Sequence, residues 1–208
     1  MRPLILTGLF ALAACTSGPS GPPIPEDPAS AASVVAAARQ CDAADYGDEP
    51  VVDTGDFEFG GNPSPAERNA VIGELFMERA SLQRCVYALP SGLHIRVLRA
   101  AGDEGLTPGG GEIVRVHYVG QNTFGEPFDS SYERGAPAEF PSDRLIAGWI
   151  EALSLMRTGE EWELFIPAEL GYGERGTPGG PIGPNQALYF RMELICLPGR
   201  EDGGCEDA

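Results

Sequence analysis

Apolar and polar residues alternate in four short runs after residue 90. In one of them Val114, Val116 and Tyr118 are separated by Arg115 and His117. Because neighbouring side chains of a β-strand point to opposite faces, this alternation is typical of a strand with one face in the core and one in water. The four runs, which together predict an antiparallel sheet, are 93–98, 114–119, 161–166 and 188–194.

A helical period separates the second run from the third. The apolar residues that share one helix face are Leu145, Trp149, Leu153 and Met156. Ser142 or Asp143 is predicted to cap the start of this helix, and Gly159 to end it. One amphipathic helix among alternating strands predicts an α+β domain, with the helix laid across one face of the sheet.

A second helix is predicted before the sheet. Ser64 suits an N-cap, Pro65 the first helical turn, and Glu67 completes a capping box. Apolar residues then recur at helical spacing, at Val71, Ile72, Leu75, Phe76 and Leu82. The helix is predicted from Pro65 to about Arg84, and its apolar stripe is expected to pack on its own domain rather than on a partner.

The N-terminus resembles a short export signal. Arg2 is followed by the apolar segment 4–13, which is too short to span a bilayer as a helix. The residues before Cys15 resemble a bacterial lipobox, which predicts cleavage after residue 14 and acylation of Cys15; an ordinary cleaved signal with a chance cysteine is the alternative. With Thr16 rather than Asp after Cys15, the expected location is a periplasm-facing, lipid-anchored position, favouring the outer membrane.

Composition divides the rest of the chain. Residues 15–62 are acidic and rich in Pro and Gly, and are predicted to be a flexible tether that catalysis does not need, although Ala31–Gln40 suits a short helix. The further predicted units are a helical extension over 63–90, a globular domain over 91–198 and an acidic tail over 199–208.

Charge and cysteine content limit the partners. The formal net charge is −17, and all 14 basic residues are Arg without a basic stripe, so nucleic acid is not expected as a partner. Four cysteines remain after Cys15, which permits two disulfides in an exported protein, with free thiols as the alternative. The pairing Cys196–Cys205 is favoured because a short polar loop joins the two residues, and Cys41–Cys85 then follows. No metal is expected, since no CxxC occurs and His94 and His117 are far from any cysteine pair.

The sequence lacks GxSxG, HExxH and P-loop motifs. Instead, aromatic and branched residues gather beside the ends of predicted elements, in the segments Val116–Gly120, Phe128–Ser131, Leu145–Trp149, Gly171–Gly173, Pro181–Asn185 and Leu188–Phe190. In order and spacing these segments resemble the FKBP-type peptidyl-prolyl cis–trans isomerases, from about Ser91 to Leu197. The resemblance implies a twisted antiparallel sheet wrapped around one helix, preceded here by the helical extension.

The resemblance also implies a proline pocket. Its residues are expected to be Tyr118, Phe128, Asp129, Leu145, Ile146, Trp149, Tyr172, Ile182 and Phe190, with Arg134 supporting Asp129. In this view Trp149 forms the floor, and the Ile146 N–H and the Tyr172 hydroxyl bind substrate carbonyls. Proline-containing polypeptides are the expected partners, and no cofactor is expected. A non-catalytic module that binds proline-containing chains, or acts as a chaperone of the cell envelope, is the alternative.

Three departures from the family bear on ligand range. Ala138 stands where many relatives carry an aromatic residue, the segment 141–144 is shorter than in the best-known eukaryotic members, and Thr177 replaces a frequent His. Macrolide inhibitors are expected as ligands, but these positions predict weaker binding.

Overall fold

The structure is a computed structural model that describes residues 30–42, 59–102 and 104–205. The helices are α1 (Ala31–Gln40), α2 (Pro65–Ser81) and α3 (Ala147–Leu155). The strands are β1 (Tyr87–Ala88), β2 (His94–Arg99), β3 (Ile113–Gln121), β4 (Pro127–Ser130), β5 (Ala138–Pro141), β6 (Glu161–Ile166) and β7 (Leu188–Cys196). Short 3₁₀ turns at 168–170 and 173–175 lie between β6 and β7.

All strand pairs of the sheet are antiparallel, in the order β1-β2-β6-β7-β3-β4. The edge of β3 that faces away from β7 is shared, because β5 pairs with its first half and β4 with its second half. Met192 of β7 lies opposite Trp162 on one side and Tyr118 on the other. The long central strands therefore carry residues of the core and of the cavity described below.

The helix α3 packs on one face of this sheet. Its buried residues Trp149, Ala152 and Leu153 join one apolar cluster with strand residues such as Leu164. Gly148 allows the close approach, since a Cβ at this position would lie 2.9 Å from Cγ2 of Ile166. An α+β domain with one helix across an antiparallel sheet was predicted from the sequence, and the structure confirms it.

The predicted caps of α3 are wrong. The helix begins after Ile146, with no side-chain cap, and its C-cap is Met156. Ser142 instead donates its hydroxyl to the Gly109 carbonyl over 2.8 Å, which anchors the preceding loop. Gly159 lies beyond the helix, where its φ of +87° serves the turn into β6.

The helix α2 covers the opposite face of the sheet. Its capping box is formed by Ser64 and Glu67, as predicted. Phe76 packs against Phe165, with ring centroids 5.9 Å apart, in a second apolar cluster that includes Tyr189. The stripe therefore packs on its own domain, although the helix ends at Ser81 and Leu82 is exposed.

Strand β6 corrects the expectation that every strand is half-buried. All of its residues are buried, because α3 covers one face of the strand and α2 the other. The charges on this strand are paired. Glu163 accepts hydrogen bonds from Arg96 and from the Tyr189 hydroxyl, the latter over 2.6 Å.

The helix α1 is also part of the folded unit. Val34, Val35 and Ala38 are buried in the main cluster, beside Leu155 at the end of α3. The tether assigned to 15–62 is therefore interrupted by a packed helix, whose apolar face finds a complementary site on β1 and β2.

Two disulfides close the described part of the chain. Cys41, directly after α1, is bonded to Cys85 after α2, and Cys196 at the end of β7 is bonded to Cys205. These are the pairs that the sequence favours over free thiols. Residues 199–205 of the tail fold back on the domain, with Leu197 N–H donating to Gly203 O over 3.0 Å.

The predicted signal 1–14, the lipidation residue Cys15 and most of the tether lie outside the described residues. Within residues 30–42, 59–102 and 104–205, no helix is both long and apolar enough to cross a bilayer.

Candidate active site

A cavity of about 530 Å³ opens at the N-terminal end of α3, against strands β3, β4, β5 and β7. Its lining consists of Tyr118, Phe128, Asp129, Phe140, Arg144, Leu145, Ile146, Ala147, Trp149, Gly171, Tyr172 and Phe190. A second cavity of about 470 Å³, between α2 and the loops around 167–169 and 185–187, contains none of the predicted site residues. The predicted site residues therefore point to the first cavity, called the aromatic cavity below, as the candidate active site.

Trp149 anchors the aromatic cavity from the first turn of α3. Its ring lies nearly perpendicular to the rings of Tyr118, Phe190 and Phe140, at centroid distances of 5.0, 5.1 and 6.1 Å. Edge-to-face contacts of this kind each stabilise a fixed ring geometry. The floor and walls of the cavity are thus built mainly from rings in edge-to-face contact, and they present an apolar surface that suits a small saturated ring.

Phe128 and Phe190 form a wall above a glycine. Their centroids are 5.6 Å apart and their planes are nearly perpendicular. Gly120 of β3 lies opposite Phe190 on β7 and next to β4, so both rings pack over it. A Cβ at Gly120 would lie 2.5 Å from Cε1 of Phe190 and 2.8 Å from Cε2 of Phe128. Absence of a side chain at this position is what lets the two rings meet.

Asp129 brings a carboxylate to the edge of the aromatic rings. The Tyr118 hydroxyl donates to its Oδ2 over 2.6 Å, and Arg134 donates to its Oδ1. Arg134 also donates to the Tyr118 hydroxyl oxygen over 2.8 Å and lies 5.4 Å from the Tyr118 ring centroid. The carboxylate is thereby held in one orientation, and its charge is compensated.

Burial, assisted by the hydrogen bond to Asp129, raises the pKa of Tyr118 to about 12. The Tyr118 hydroxyl is therefore a neutral donor at any physiological pH. Burial, with a smaller contribution from the negative charge of Asp129, also raises the pKa of Tyr172. Both phenols of the cavity keep their protons and act as hydrogen-bond donors, not as bases.

Two further hydrogen-bond donors belong to residues that line the cavity. Ile146 is the N-cap residue of α3, so its N–H lies outside the hydrogen-bond ladder of the helix. Tyr172, in the turn after β6, is 40% exposed at the mouth. Together they give the cavity two donors that suit peptide carbonyl oxygens.

The structure brings most of the predicted site residues together. Those that line the cavity are Tyr118, Phe128, Asp129, Leu145, Ile146, Trp149, Tyr172 and Phe190. Arg134 supports them through Asp129. Ile182 does not line the cavity. It is buried, and its backbone N–H and carbonyl bond to Thr177, an arrangement that closes the loop between the 3₁₀ turns and β7.

The sequence reading missed four lining residues: Phe140, Arg144, Ala147 and Gly171. Phe140 lies two residues after Ala138 on the short strand β5, on the same face. It therefore supplies an aromatic ring next to the position where Ala138 lowers the wall. Strand β5 has only four residues, too few for its alternation to stand out in the sequence.

The two histidines lie away from the cavity lining. His117 stacks on Tyr132 at 4.4 Å, and its Nδ1 is 2.9 Å from the Ser131 hydroxyl. Nδ1 of His94 is 3.0 Å from the Gly92 carbonyl. Both side chains are held by contacts with neighbouring residues.

The fold and the site define an α+β domain with an aromatic cavity around Trp149 and an oriented carboxylate, Asp129, at its edge. Residues 105–195 match the family model described as FKBP-type peptidyl-prolyl cis-trans isomerase. The chain is 47% identical over 126 residues to the FKBP-type 22 kDa peptidyl-prolyl cis-trans isomerase of Escherichia coli, a match that covers 61% of this chain and 60% of that one. It is 42% identical over 132 residues to the outer membrane protein MIP of Legionella longbeachae, covering 64% and 55%.

A crystal structure of a peptidyl-prolyl cis-trans isomerase from Pseudomonas syringae superposes with a TM-score of 0.59 at 34% identity, covering 66% of this chain and 98% of that one. The chain belongs to the FKBP-type peptidyl-prolyl cis–trans isomerase family. It spans between 55% and 60% of the length of the two curated relatives named above.

Proposed function

We propose that this protein catalyses the cis–trans isomerisation of X–Pro peptide bonds in polypeptides that fold in a bacterial cell envelope. The observation that carries the proposal is the position of Asp129. Its carboxylate is fixed by Tyr118 and Arg134 at the edge of a cavity whose apolar rings surround Trp149.

Rotation about an X–Pro bond is slow because amide resonance must be broken, at a barrier of about 18–20 kcal/mol. A twisted amide has less charge separation than a planar one, so an apolar cavity favours it over either ground state. Binding that is stronger in the transition state than in the ground states is what accelerates a reaction. No bond is cleaved, so neither a nucleophile nor a cofactor is required.

The roles of the lining residues follow from their positions. The substrate proline ring packs on Trp149, between Tyr118, Phe128 and Phe190. The Ile146 N–H and the Tyr172 hydroxyl donate to substrate carbonyls and so hold the chain on both sides of the bond that rotates. Asp129 stays beside the amide, where its fixed charge stabilises the twisted form.

The relatives' names extend the proposal to location. The Legionella relative is named an outer membrane protein. With the lipobox before Cys15, this supports export and attachment to a membrane through lipid on Cys15, with the domain in the periplasm. Growth with labelled palmitate tests the attachment: the label is expected in the wild type and not in Cys15→Ser, and equal labelling of both excludes the anchor.

Macrolide inhibitors are proposed as ligands of the same cavity. Phe140 partly replaces the ring that is missing at Ala138, which supports binding of a saturated ring above Trp149. Inhibition of isomerase activity by a macrolide that competes with the peptide substrate would measure this binding.

Isomerase activity is tested on the mature chain with a proline-containing tetrapeptide, by a protease-coupled assay and by exchange NMR. Wild type is expected to accelerate isomerisation, and Phe128→Ala to reduce kcat/KM while near-UV circular dichroism shows a folded domain. His94→Ala, remote from the cavity, serves as the control and should match wild type. Binding of the peptide without acceleration would instead establish the non-catalytic binding module.

A further inference from the structure

Arg144 is a cation at the cavity that the proposed mechanism does not use. It lies in the short loop between β5 and α3 and lines the cavity together with Leu145 and Ile146. Its side chain is exposed, and among the residues that the structure describes it has no hydrogen-bond or ion-pair partner.

The backbone that carries Arg144 is fixed. Ser142 N–H donates to Glu112 O over 2.8 Å, and the Ser142 hydroxyl donates to Gly109 O over 2.8 Å. Arg144 N–H donates to Pro141 O over 3.2 Å, which closes a turn. The loop therefore holds the backbone of Arg144 at a constant position beside the N-terminal end of α3, within reach of the cavity.

Neighbouring carboxylates leave this charge uncompensated. Asp129, across the cavity, is paired with Arg134 and hydrogen-bonded to Tyr118. Asp143 directs its carboxylate toward Gly111, where an added Cβ would lie 3.1 Å from Oδ2. Of the charged side chains in the cavity lining, Arg144 is thus the one without a partner among the residues that the structure describes, within a chain whose formal net charge is −17.

We infer that Arg144 forms a subsite for a carboxylate side chain next to the substrate proline. Substrates with Glu or Asp beside the proline are then preferred over substrates with Gln, and substrates with Lys or Arg there are disfavoured. This inference rests on the proposed isomerase function and names its substrate class. The attraction is local, because the field of the acidic surface is screened over about 8 Å at physiological salt, whereas the guanidinium and a bound carboxylate are in direct contact. A partly exposed ion pair of this kind is expected to change affinity about two- to fivefold.

Matched peptides test the subsite. Three tetrapeptides carry Glu, Gln or Lys immediately before the proline, and three more carry them immediately after it. Both kcat/KM, by exchange NMR, and Kd, by tryptophan fluorescence, are measured for wild type, Arg144→Gln and Arg144→Glu. Arg68→Gln is the matched control, since Arg68 is an exposed arginine on α2 and does not line the cavity.

In wild type, kcat/KM and affinity are expected to be about two- to fivefold higher for the Glu peptide than for the Gln peptide in at least one series, and lower for the Lys peptide than for the Gln peptide. The Glu-to-Gln ratio should approach one in Arg144→Gln, reverse in Arg144→Glu, and decrease in wild type at 0.5 M salt as screening requires. Arg68→Gln should keep the wild-type ratio. A structural role of Arg144 would change all peptides equally and leave the ratio intact.

The failures are distinguishable. A wild-type ratio of one in both series, or a ratio that Arg144→Gln leaves unchanged, overturns the subsite while isomerase activity stands. Charge-selective Kd values without any acceleration overturn the isomerase function and support the subsite.

Discussion

Arg39 of α1 forms a two-point ion pair with Glu160, whose side chain is completely buried. Arg39 Nε and Nη2 lie 2.7 and 3.0 Å from the two carboxylate oxygens, and Nη2 also donates to Leu155 O at the end of α3 over 2.7 Å. Glu160 further accepts from Trp162 Nε1 over 3.1 Å and from Arg157 N–H over 2.9 Å. A helix from the predicted tether thus supplies the counter-charge for the inside of the domain.

Arg39→Met is expected to lower the free energy of unfolding by about 3–5 kcal/mol, because it leaves a buried carboxylate without its cation. Urea denaturation followed by circular dichroism measures the loss. The double variant Arg39→Met/Glu160→Gln should recover part of it, since the uncompensated charge is then gone. A change below about 1 kcal/mol in the single variant would show that α1 is not needed to balance Glu160.

Loss of the Cys41–Cys85 disulfide is expected to destabilise the domain more than loss of Cys196–Cys205. The bonds close segments with sequence separations of 44 and 9 residues. The chain-entropy relation gives about 4 and about 2.6 kcal/mol for loops of these lengths. Denaturation of the two paired Cys→Ser variants without reductant compares them directly. Equal losses would mean that native contacts of α1, rather than the crosslink, hold it in place.

A truncation that starts at Asn62 tests the tether itself. The sequence predicts that residues 15–62 are dispensable for catalysis, whereas the structure packs Val34 and Val35 in the core. We therefore expect the truncated chain to melt at a lower temperature than a chain that starts at Ser30. Isomerase activity measured below both melting temperatures should be similar, because the cavity is at the other end of α3 from Arg39. Equal melting temperatures would mean that α1 does not stabilise the domain and that residues 15–62 act only as a tether.

Gly120→Ala is expected to lower kcat/KM about tenfold, equivalent to about 1.4 kcal/mol of transition-state stabilisation. Its Cβ would overlap both Phe128 and Phe190, and overpacking of this kind forces rings from their positions. Gly110→Ala is the matched control, since nothing lies within 4 Å of a Cβ there. Unchanged activity of Gly120→Ala, with its fold verified by near-UV circular dichroism, would argue against the aromatic wall.

Tyr172→Phe should reduce kcat/KM less than Asp129→Ala does. Tyr172 loses one hydrogen bond, about 0.5–1.5 kcal/mol or about threefold to tenfold. Asp129→Ala removes the fixed charge and leaves Arg134 and Tyr118 without their acceptor. Both variants are measured on one peptide beside a folding probe. Full activity of folded Asp129→Ala would mean that the carboxylate has no part in catalysis.

Alkaline pH should destabilise the domain partly through Tyr118. Its pKa is raised from 10 to about 12 in the folded state, so the folded chain binds this proton more tightly than the unfolded chain. The contribution of this proton to the free energy of unfolding is complete below pH 10 and decreases as the pH rises toward 12. Unfolding free energies between pH 9 and 12 should fall less steeply in Tyr118→Phe than in wild type. Equal slopes would contradict the raised pKa.

The alternation after residue 90 predicted the central strands, and the 3.6-residue period predicted α2 and α3, because the apolar residues of each of these elements recur at the spacing of its buried face. The pairing of Ser64 with Glu67 was predicted for the same local reason. The site residues were predicted through the resemblance of short segments that follow one another in the order typical of the family.

Only the tertiary structure decided which surfaces meet. Strand β6 is buried on both faces because a distant helix carries Phe76 to Phe165, a contact that no local period encodes. The role of Arg39 depends on Glu160, 121 residues further along the chain. Phe140 and Arg144 join the cavity because β5 pairs with β3 and the following loop turns back to α3. Local sequence thus set the faces of the elements, whereas packing between remote segments set the charge balance of the core and the lining of the cavity.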